Sequence, residues 1–351
     1  MRLSTDKEFA SADAIADALR WKIASGALAP DTKLPIRQDM CREFNAALAT
    51  MQRAIDTLVA EGFIVCTPGK GTFVHSQPPS KADVALVFGS AISARSLFCE
   101  AIRSVAGTIS HHHSYRLRTF DLHGDQRERS VATLVALAAA HRLAGIIVVS
   151  PSSDILDALP KPTTGSVPLV LIGREGRNYP DFPRVEVDQT NFANLAIAHL
   201  RGHGRRRIAH ILADGIFAYL DDTAEKLREL ECEHAPYLVQ FVGEGRRWRG
   251  AEHIAHLLMR LPASERPNGL IIHDDNLIHW ATIGLRASGM LIPKDIEIVA
   301  HTNFPCPAPS AVPVTTCGFD AHAVLEAAMV LLGLPRDPTR LATVIAAKLS
   351  T

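Results

Sequence analysis

Three short amphipathic segments followed by two strands around a glycine-rich turn occupy the first 75 residues, and few folds accept that order. In each segment apolar residues recur every third or fourth position, which predicts one buried stripe on each of three helices. The stripes are Ile15, Leu19 and Ile23, then Met40 and Phe44, then Met51, Ile55 and Leu58. Leu34-Pro35 opens the predicted second helix, and a turn at 45–47 separates it from the third. The pattern predicts a helix-turn-helix.

The predicted strands, Phe63–Cys66 and Thr72–Val74, are joined by the tetrapeptide Pro68–Gly71. Its two glycines allow the positive φ values that a tight hairpin requires. Its lysine gives the hairpin tip a positive charge that suits a minor groove or a phosphate backbone. Together with the three helices, the hairpin predicts a winged helix that binds DNA, with protein binding as the alternative.

A family resemblance is carried by residues 23–30, 33–35, 54–64 and 69–74. Because these segments occur in order and at matching spacing, residues 14–74 resemble the winged-helix domain of the GntR family of bacterial transcription regulators. In that family, DNA is contacted by the starts of the second and third helices and by the wing. The resemblance therefore implies contacts from Gln38, Thr50, Gln52, Gly69 and Lys70. Arg37 and Arg53 lie beside them in the sequence and are candidates for phosphate contacts, and Thr72 is a further candidate. A Gln amide can pair with an adenine edge, whereas Lys and Thr can hold phosphates.

Two departures from the GntR pattern lie at the helix starts that would meet DNA. Ala47-Leu48 stands where the family often has Ser-Arg, and Ile36 stands where it favours Ser. The first 80 residues carry nine basic and nine acidic side chains, so the module is neutral. Since affinity for DNA depends on phosphate neutralisation, one copy is expected to bind weakly. We therefore expect a homodimer whose two heads read two half-sites of double-stranded operator DNA.

The polar segment 75–82, with paired prolines, predicts a linker between domains at 1–74 and 83–351. Beyond it, short apolar strands alternate with helices in two similar series, which predicts two lobes with parallel, doubly wound sheets. The predicted strands are 84–88, 116–122, 145–150 and 169–172, then 208–212, 238–242, 270–273 and 296–299. The predicted fold class is a winged helix-turn-helix (α+β) followed by a two-lobed α/β domain. Ligands of such sheets bind at the carboxyl ends of strands.

Residues 83–351 resemble the ligand-binding domain of the LacI/GalR family, which is similar to periplasmic binding proteins. The resemblance rests mainly on residues 185–211, where Val-Glu-Val-Asp is followed by His-Leu, Gly-His and Arg-Ile-Ala. Residues 167–172, 292–299 and 313–316 match as well. A GntR-type head on this body is the arrangement of arabinose-responsive repressors. The resemblance implies a dimeric, ligand-controlled transcription regulator, more specifically a repressor, whose effector is a sugar or a related polar small molecule.

Polar residues at the predicted strand ends are candidates for an effector cleft. They are Ser90, Ser150, Arg174, Asp188, Tyr219, Asp222, Asp274, Asp275, Thr302 and Asn303. Three positions depart from what the family resemblance implies: Asp222 replaces an Arg, Asp274-Asp275 replaces Asn-Asp, and Thr302 replaces an Asp. An acidic lip suits a neutral polyol, an amino sugar or another cationic ligand. Asp222 has an alternative role as the cap of a helix that runs to Leu230.

Several classes of protein are disfavoured by what the sequence lacks. The six cysteines match no zinc spacing and His111–His113 are interpreted as a solvated loop, so neither a metal nor a cofactor is expected. The motifs GxxxxGK[ST], HExxH and GxSxG are absent, which argues against an enzyme. No apolar run reaches the roughly 20 residues of a membrane helix. No signal segment is seen either, so we expect a cytoplasmic protein. The alternative function is a ligand-independent DNA-binding or interaction protein with a degenerate cleft.

Overall fold

The computed structural model describes residues 11–24, 27–76, 78, 83–89, 96–112, 116–139, 143–159, 167–173, 178–213, 229, 232–233, 235–243, 245–333 and 342–350. The helices are α1 Ala12–Ala24, α2 Arg37–Glu43, α3 Leu48–Ala60, α4 Leu97–His112, α5 Arg127–Ala139, α6 Ser153–Ala158, α7 Gln189–Gly202, α8 Gly250–Met259, α9 Asp275–Ser288 and α10 Ala321–Gly333. The strands are β1 Ile64–Thr67, β2 Gly71–Val74, β3 Asp83–Phe88, β4 Arg116–Asp121, β5 Gly145–Val149, β6 Leu169–Ile172, β7 Arg184–Val187, β8 Ile208–Ala213, β9 Val239–Val242, β10 Gly269–Ile272, β11 Glu297–Phe304, β12 Thr315–Asp320, β13 Ala342–Ile345 and β14 Lys348–Leu349. Over these described ranges, no helix is long and apolar enough to cross a membrane.

Helices α1, α2 and α3 enclose an apolar core that contains the three predicted stripes. Every stripe residue is buried except Phe44, which packs partly buried against the core. Phe63, which follows α3, is fully buried in the same cluster. The guanidinium of Arg20 donates from Nε and Nη2 to the two carboxylate oxygens of Glu61, each at 2.7 Å. This bidentate pair ties α1 to the end of α3.

The second helix begins later than the sequence pattern predicts. The segment predicted to open it is held against the wing instead, because the Leu34 N–H donates to the Thr72 carbonyl at 2.9 Å. Lys33 forms an isolated antiparallel bridge with Phe73 in the same place. The helix α2 therefore begins at Arg37.

The hairpin predicted after the third helix is confirmed. Strands β1 and β2 pair antiparallel, with Ile64 opposite Val74 and Thr67 opposite Gly71. Gly69 and Gly71 have φ angles of 75° and 121°, which L side chains rarely adopt. Glycine at both positions is what lets four residues turn the chain.

Two six-stranded sheets account for the remaining strands. One has the order β13-β7-β6-β5-β3-β4 and the other β14-β12-β11-β10-β8-β9. The neighbours β9, β8, β10, β11 and β12 run parallel to one another, and so do β6, β7 and β13. Such sheets need crossover helices, which the alternating helix and strand order supplies. The prediction of a two-sheet, parallel α/β body is confirmed.

Four strands of these sheets were not predicted: β7, β12, β13 and β14. Residues of β13 and β14 alternate between half-buried and exposed, so they lack the continuous apolar run of a central strand. Strand β14 is antiparallel to β12, with Cys317 opposite Leu349 and Gly318 opposite Lys348. It adds one antiparallel edge to an otherwise parallel sheet.

The structure of His111 and His112 differs from the sequence-based prediction. They are predicted to be part of a solvated loop, but they are the last two residues of α4. The helix carries a buried apolar stripe from Cys99 to Ile109, and its backbone continues beyond that stripe to His112. His113 lies outside the described residues.

The chain divides into two compact units. One consists of Met1–Val87, Ser110–Val148 and Ser153–Leu169, and the other of Phe88–Ile109, Val149–Ser152 and Val170–Thr351. The largest apolar core of the second unit is built on α7, α8, α9 and the sheet that contains β11. Within it, a Cβ added at Gly284 of α9 would overlap the backbone carbonyl oxygen of Glu252 in α8. The close approach of these two helices therefore requires glycine at this position.

Candidate nucleic-acid interface and ligand pocket

The residues predicted to contact DNA lie at two helix starts and on the wing of the first unit. In α2 and α3 the exposed ones are Arg37, Gln38 and Arg53, and the half-buried ones are Thr50 and Gln52. Gly69 and Lys70 are exposed at the tip between β1 and β2, whereas Thr72 is half-buried in β2. The Thr72 hydroxyl lies 3.5 Å from the Sγ of Cys66, so it also contributes to the hairpin. Their roles in DNA contact remain predictions.

The starts of α2 and α3 carry no side-chain caps. The capping positions are Ile36 and Ala47, and neither side chain accepts a hydrogen bond from the helix. The first-turn N–H groups therefore have no side-chain acceptor, and a helix N-terminus of this kind favours a phosphate. Ile36 and Leu48 are each 60% exposed beside these termini. Large apolar side chains at such positions suit the methyl group of thymine.

The amide of Gln52 is oriented by a neighbour on the same helix. Its Nε2 donates to Oδ1 of Asp56 at 2.7 Å, one helical turn further on. This bond leaves the carbonyl oxygen and the second N–H of the amide for a base edge, and a bidentate contact with adenine uses one acceptor and one donor. Gln52 thus keeps the donor and the acceptor that direct base readout would use.

We expect Lys70→Ala to reduce the salt dependence of operator binding by about one unit of slope per head in a plot of log K against log salt. The reason is that an exposed ammonium on the wing would release about one counterion when it binds a phosphate. The measurement is fluorescence anisotropy of labelled DNA at several salt concentrations. Lys294→Ala, which removes an exposed lysine from the second unit, is the control. An unchanged slope for Lys70→Ala would show that the wing makes no phosphate contact.

A pocket of about 160 Å³ lies within the second compact unit. Three of its residues directly follow strands: Ser150 after β5, Gly173 after β6 and His273 after β10. It therefore opens at carboxyl ends of strands, where ligands of parallel sheets bind. Among the described residues, its lining is Ser96, Phe98, Ser150, Gly173, Val187, Gln189, His273, Asp274, Asp275, Asn276, His301, Asn303 and Phe319. This volume is below the roughly 300–1,000 Å³ typical of drug-sized ligands, so it suits a small ligand.

Four of the predicted effector residues line this pocket: Ser150, Asp274, Asp275 and Asn303. Their role as ligand contacts stays a prediction. Four others lie outside the described residues: Ser90, Arg174, Tyr219 and Asp222. The alternative role of Asp222 as a helix cap lies outside them as well.

Two predicted effector residues do not line the pocket. Asp188 caps α7, since its Oδ1 accepts the Asn191 N–H at 2.8 Å. Thr302 is fully buried within β11, because the strand predicted to end at residue 299 continues to Phe304. Alternation along the strand then directs His301 and Asn303, and not Thr302, into the pocket lining.

The two adjacent carboxyl groups of the pocket have different environments. Asp274 caps α9, accepting from the Asn276 N–H at 2.9 Å and from its Nδ2 at 2.7 Å. Asp275 is buried, and its Oδ2 accepts from Nδ2 of Asn303 at 2.6 Å. Burial, together with the negative charge of Asp274, raises the pKa of Asp275 to about 8. Asp275 is therefore mostly protonated and uncharged near neutral pH.

Buried histidines form the other polar part of the pocket. His273 and His301 line it, and Nε2 of His273 lies 2.9 Å from Nδ1 of the buried His210. Burial, and then the neighbouring imidazoles, lower the pKa of His273 well below its usual value, and burial lowers the pKa of His301 to about 4. Both rings are neutral near pH 7. Among the described residues neither ring nitrogen of His301 has a hydrogen-bond partner, which is unusual for a buried polar group.

We expect the stability of the folded protein to be highest near about pH 6.5 and to fall by about 1–2 kcal/mol by about pH 8. The unfolded chain loses the Asp275 proton near pH 4 whereas the folded state keeps it to about pH 8, so this group alone lowers stability as the pH rises through that window. His301 and His273 act in the opposite direction below about pH 6.5, because only their unfolded forms take up a proton there. Of these three groups, only Asp275 still acts above about pH 6.5.

Thermal unfolding midpoints measured from about pH 6 to about pH 9 check this prediction. Asp275→Asn is expected to remove the decline above about pH 6.5, since Asn does not titrate. Asp295→Asn, at an exposed aspartate, is the control and is expected to keep it. A decline of the same size in Asp275→Asn would assign it to other groups.

Comparison with known proteins identifies both parts of the chain. Residues 11–74 match the family model described as bacterial regulatory proteins of the gntR family. Residues 197–343 match the model of a periplasmic-binding-protein-like domain. This chain is a DNA-binding transcription regulator with a GntR-type head. The resemblance expected from the sequence is thereby confirmed for both head and body.

Individual relatives align with most of the chain. The arabinose metabolism transcriptional repressor of Geobacillus stearothermophilus is 25% identical over 313 residues, which cover 85% of the regulator and 83% of that protein. The solved complex of the transcriptional regulator CelR with cellobiose is 19% identical, aligns with a TM-score of 0.59 and covers 91% of the regulator and 99% of that chain. A LacI family regulator from Arthrobacter sp. FB24 in complex with lactose is 16% identical, with a TM-score of 0.59 and coverages of 77% and 98%. The two structures support the predicted fold.

Proposed function

We propose that this regulator is a repressor that binds operator DNA as a homodimer and responds to a small, uncharged polyhydroxyl effector bound in the pocket. Its site of action is the cytoplasm, where a bacterial operator lies. The observation that carries the effector class is the set of buried pocket atoms that lack a hydrogen-bond partner among the described residues, and burial also favours the uncharged forms of His273, Asp275 and His301. The proposed division of the chain is a head at 1–74, a linker at 75–82 and an effector domain at 83–351.

The pocket can form hydrogen bonds with a ligand, but none of its described lining residues has a charged group available to pair with a charged ligand. The ring nitrogens of His301 and the Oε1 of Gln189 are buried and have no partner among the described residues, so a ligand hydroxyl would satisfy them. Asp275 is protonated near neutral pH, and the charge of Asp274 is occupied in capping α9. Among the ligands that an acidic lip could suit, this environment favours a neutral polyol over an amino sugar. Phe98 and Phe319 line the same pocket and supply apolar contact for a sugar ring.

The DNA-binding part of the proposal rests on the head. The head exposes Arg37, Gln38, Arg53 and Lys70, and its helices α2 and α3 begin without a side-chain cap. Nine acidic side chains nevertheless balance the nine basic ones in the first 80 residues. A single neutral head gains little from phosphate neutralisation, so two heads are required for tight binding. The relative named as an arabinose metabolism repressor supports repression as the output and makes arabinose the first sugar to test.

The experiment is a thermal unfolding screen of the full chain against arabinose, other neutral sugars, glucosamine and a sugar phosphate. A ligand at about 100 times its Kd adds about 2.7 kcal/mol to stability, so binding gives a clear upward shift of the midpoint. We expect a neutral sugar to give that shift and glucosamine to give none. A shift with glucosamine or the sugar phosphate alone would contradict the proposed ligand class.

Two variants test whether the ligand that raises the unfolding midpoint binds in the pocket. Gln189→Ala removes a pocket side chain whose amide oxygen has no partner among the described residues, and we expect it to abolish the shift. Gln240→Ala removes the same side chain from β9, outside the pocket lining, and is expected to keep the shift. A flat panel from folded protein would favour the ligand-independent alternative, in which the chain binds DNA without an effector.

A further inference from the structure

Two imidazoles and one carboxylate meet at the end of α7, outside the residues that line the pocket. His199 lies in the last turn of α7 and His203 follows its end, so the two are one helical turn apart. Glu297, the first residue of β11, places its Oε1 3.2 Å from Nε2 of His199 and 2.6 Å from Nδ1 of His203. The two rings are edge-on, with centroids 4.4 Å apart. Three ligand atoms of metal-binding type thus lie within 4.8 Å of one another.

The carboxylate is held in place from its other side. Nε of Arg205 donates to Oε2 of Glu297 at 3.2 Å, and the same guanidinium donates to the backbone carbonyls of Pro293 and Lys294. Burial acts to raise the pKa of Glu297, but hydrogen bonds from His203 and Arg205 outweigh it and lower the pKa. An ionised carboxylate with one oxygen fixed by Arg205 and the other facing two imidazoles has the orientation that outer-shell partners give to metal ligands.

The distances suit a small transition-metal ion. Bonds of about 2.0–2.1 Å in a tetrahedral site place neighbouring ligand atoms about 3.3 Å apart. The pair formed by His199 and Glu297 already has that separation. The distance from Nδ1 of His203 to Oε1 of Glu297 is shorter than this, but the His203 side chain is 54% exposed and can move outward. The same exposure leaves room for water as a further ligand.

We propose that His199, His203 and Glu297 form a binding site for a divalent transition metal of the Zn²⁺ type. Two imidazoles and a carboxylate suit Zn²⁺, Co²⁺ or Ni²⁺, whereas Mg²⁺ and Ca²⁺ prefer oxygen ligands alone. The bound ion links the end of α7 to the start of β11. Because β11 also carries His301 and Asn303 of the pocket, the ion stabilises the strand on which part of the effector pocket is built.

The test is a titration of chelator-treated, untagged full-length protein with CoCl₂, followed by visible absorption, and then displacement by ZnCl₂. We expect one Co²⁺ per chain in a spectrum typical of four- or five-coordinate nitrogen and oxygen ligation, and a raised unfolding midpoint with Zn²⁺. His203→Ala is expected to weaken Co²⁺ binding by about tenfold or more, since one of three protein ligands is lost. Glu297→Gln is expected to do the same, because an amide is a weaker metal ligand than a carboxylate.

The matched control is His322→Ala. His322 lies 3.7 Å from Glu326 one turn along α10, so it forms a surface His–Glu pair without a second imidazole. We expect this variant to bind Co²⁺ as the unaltered protein does. His203 is half-exposed, so His203→Ala decides the question even if Glu297→Gln fails to fold. The absence of a Co²⁺ spectrum, or the same affinity in His203→Ala, would overturn the proposal and leave the cluster as a hydrogen-bonded ion pair.

Discussion

Gly284→Ala is expected to lower the free energy of unfolding by about 3 kcal/mol, because its new methyl group would overlap the Glu252 carbonyl oxygen. A flexible side chain could rotate away from such a contact, but a backbone carbonyl within a helix cannot. The two helices must therefore separate. Ala255 of α8 and Ala281 of α9 are fully buried, so separation would also loosen a core that small side chains keep tightly packed. Urea unfolding followed by circular dichroism measures the effect.

The control for this prediction is Gly107→Ala in α4. No atom lies within 4 Å of a Cβ added there, and the glycine is exposed on a helix. Alanine is the better helix former by about 0.8–1.0 kcal/mol, so this variant is expected to be slightly more stable than the unaltered protein. Effects of the same sign and size in both variants would contradict the close approach of α8 and α9 at Gly284.

Gln52→Ala is expected to weaken binding to the cognate operator by about 1–3 kcal/mol and to relax the preference at one base position. The amide of Gln52 is held by Asp56 on the same helix, so little conformational entropy is lost when it meets a base. Removing it leaves the base edge without its partners. Binding of the variant to a set of operators, each altered at one position, measures both effects.

Two comparisons make this result specific. Gln240→Ala removes the same amide from β9 in the second unit and is expected to leave operator affinity unchanged. Binding of Gln52→Ala to unrelated DNA is expected to be nearly normal, since phosphate contacts from Arg37, Arg53 and Lys70 remain. An equal loss on every sequence would argue against base readout by Gln52.

The head could be predicted from the sequence almost completely, because its signals are local. Three apolar stripes at helical spacing and glycines at a hairpin tip are properties of neighbouring residues. The start of α2 was misplaced because a contact distant in sequence, from Leu34 to Thr72, outweighs the local signal. The body was predicted at the level of its sheets, but the edge strands β13 and β14 pair through residues that are half-exposed.

The pocket was predicted only in part, for a different physical reason. The sequence predicts that Asp274 and Asp275 form an acidic lip, but adjacency in sequence does not reveal that one caps a helix and the other is buried. The charge of Asp275 depends on that burial, and so does the neutrality of His273 and His301. The sequence signal for these residues was their position, since His273 and Asp275 follow β10 and His301 lies near the end of β11. The protonation states of these groups, which determine the proposed class of ligand, depend on their environment in the folded protein.

The measurement that bears most directly on ligand control is the operator Kd of the full chain with and without the neutral sugar found in the thermal screen. The DNA probe is a duplex that the protein itself selects from a random pool. We predict that saturating sugar weakens operator binding by about tenfold or more, equivalent to about 1.4 kcal/mol of coupling, and that Gln189→Ala loses this response while keeping its affinity without sugar. An operator Kd that stays the same at saturating sugar, in protein that the sugar demonstrably stabilises, would contradict the assignment of the pocket as a control site for DNA binding.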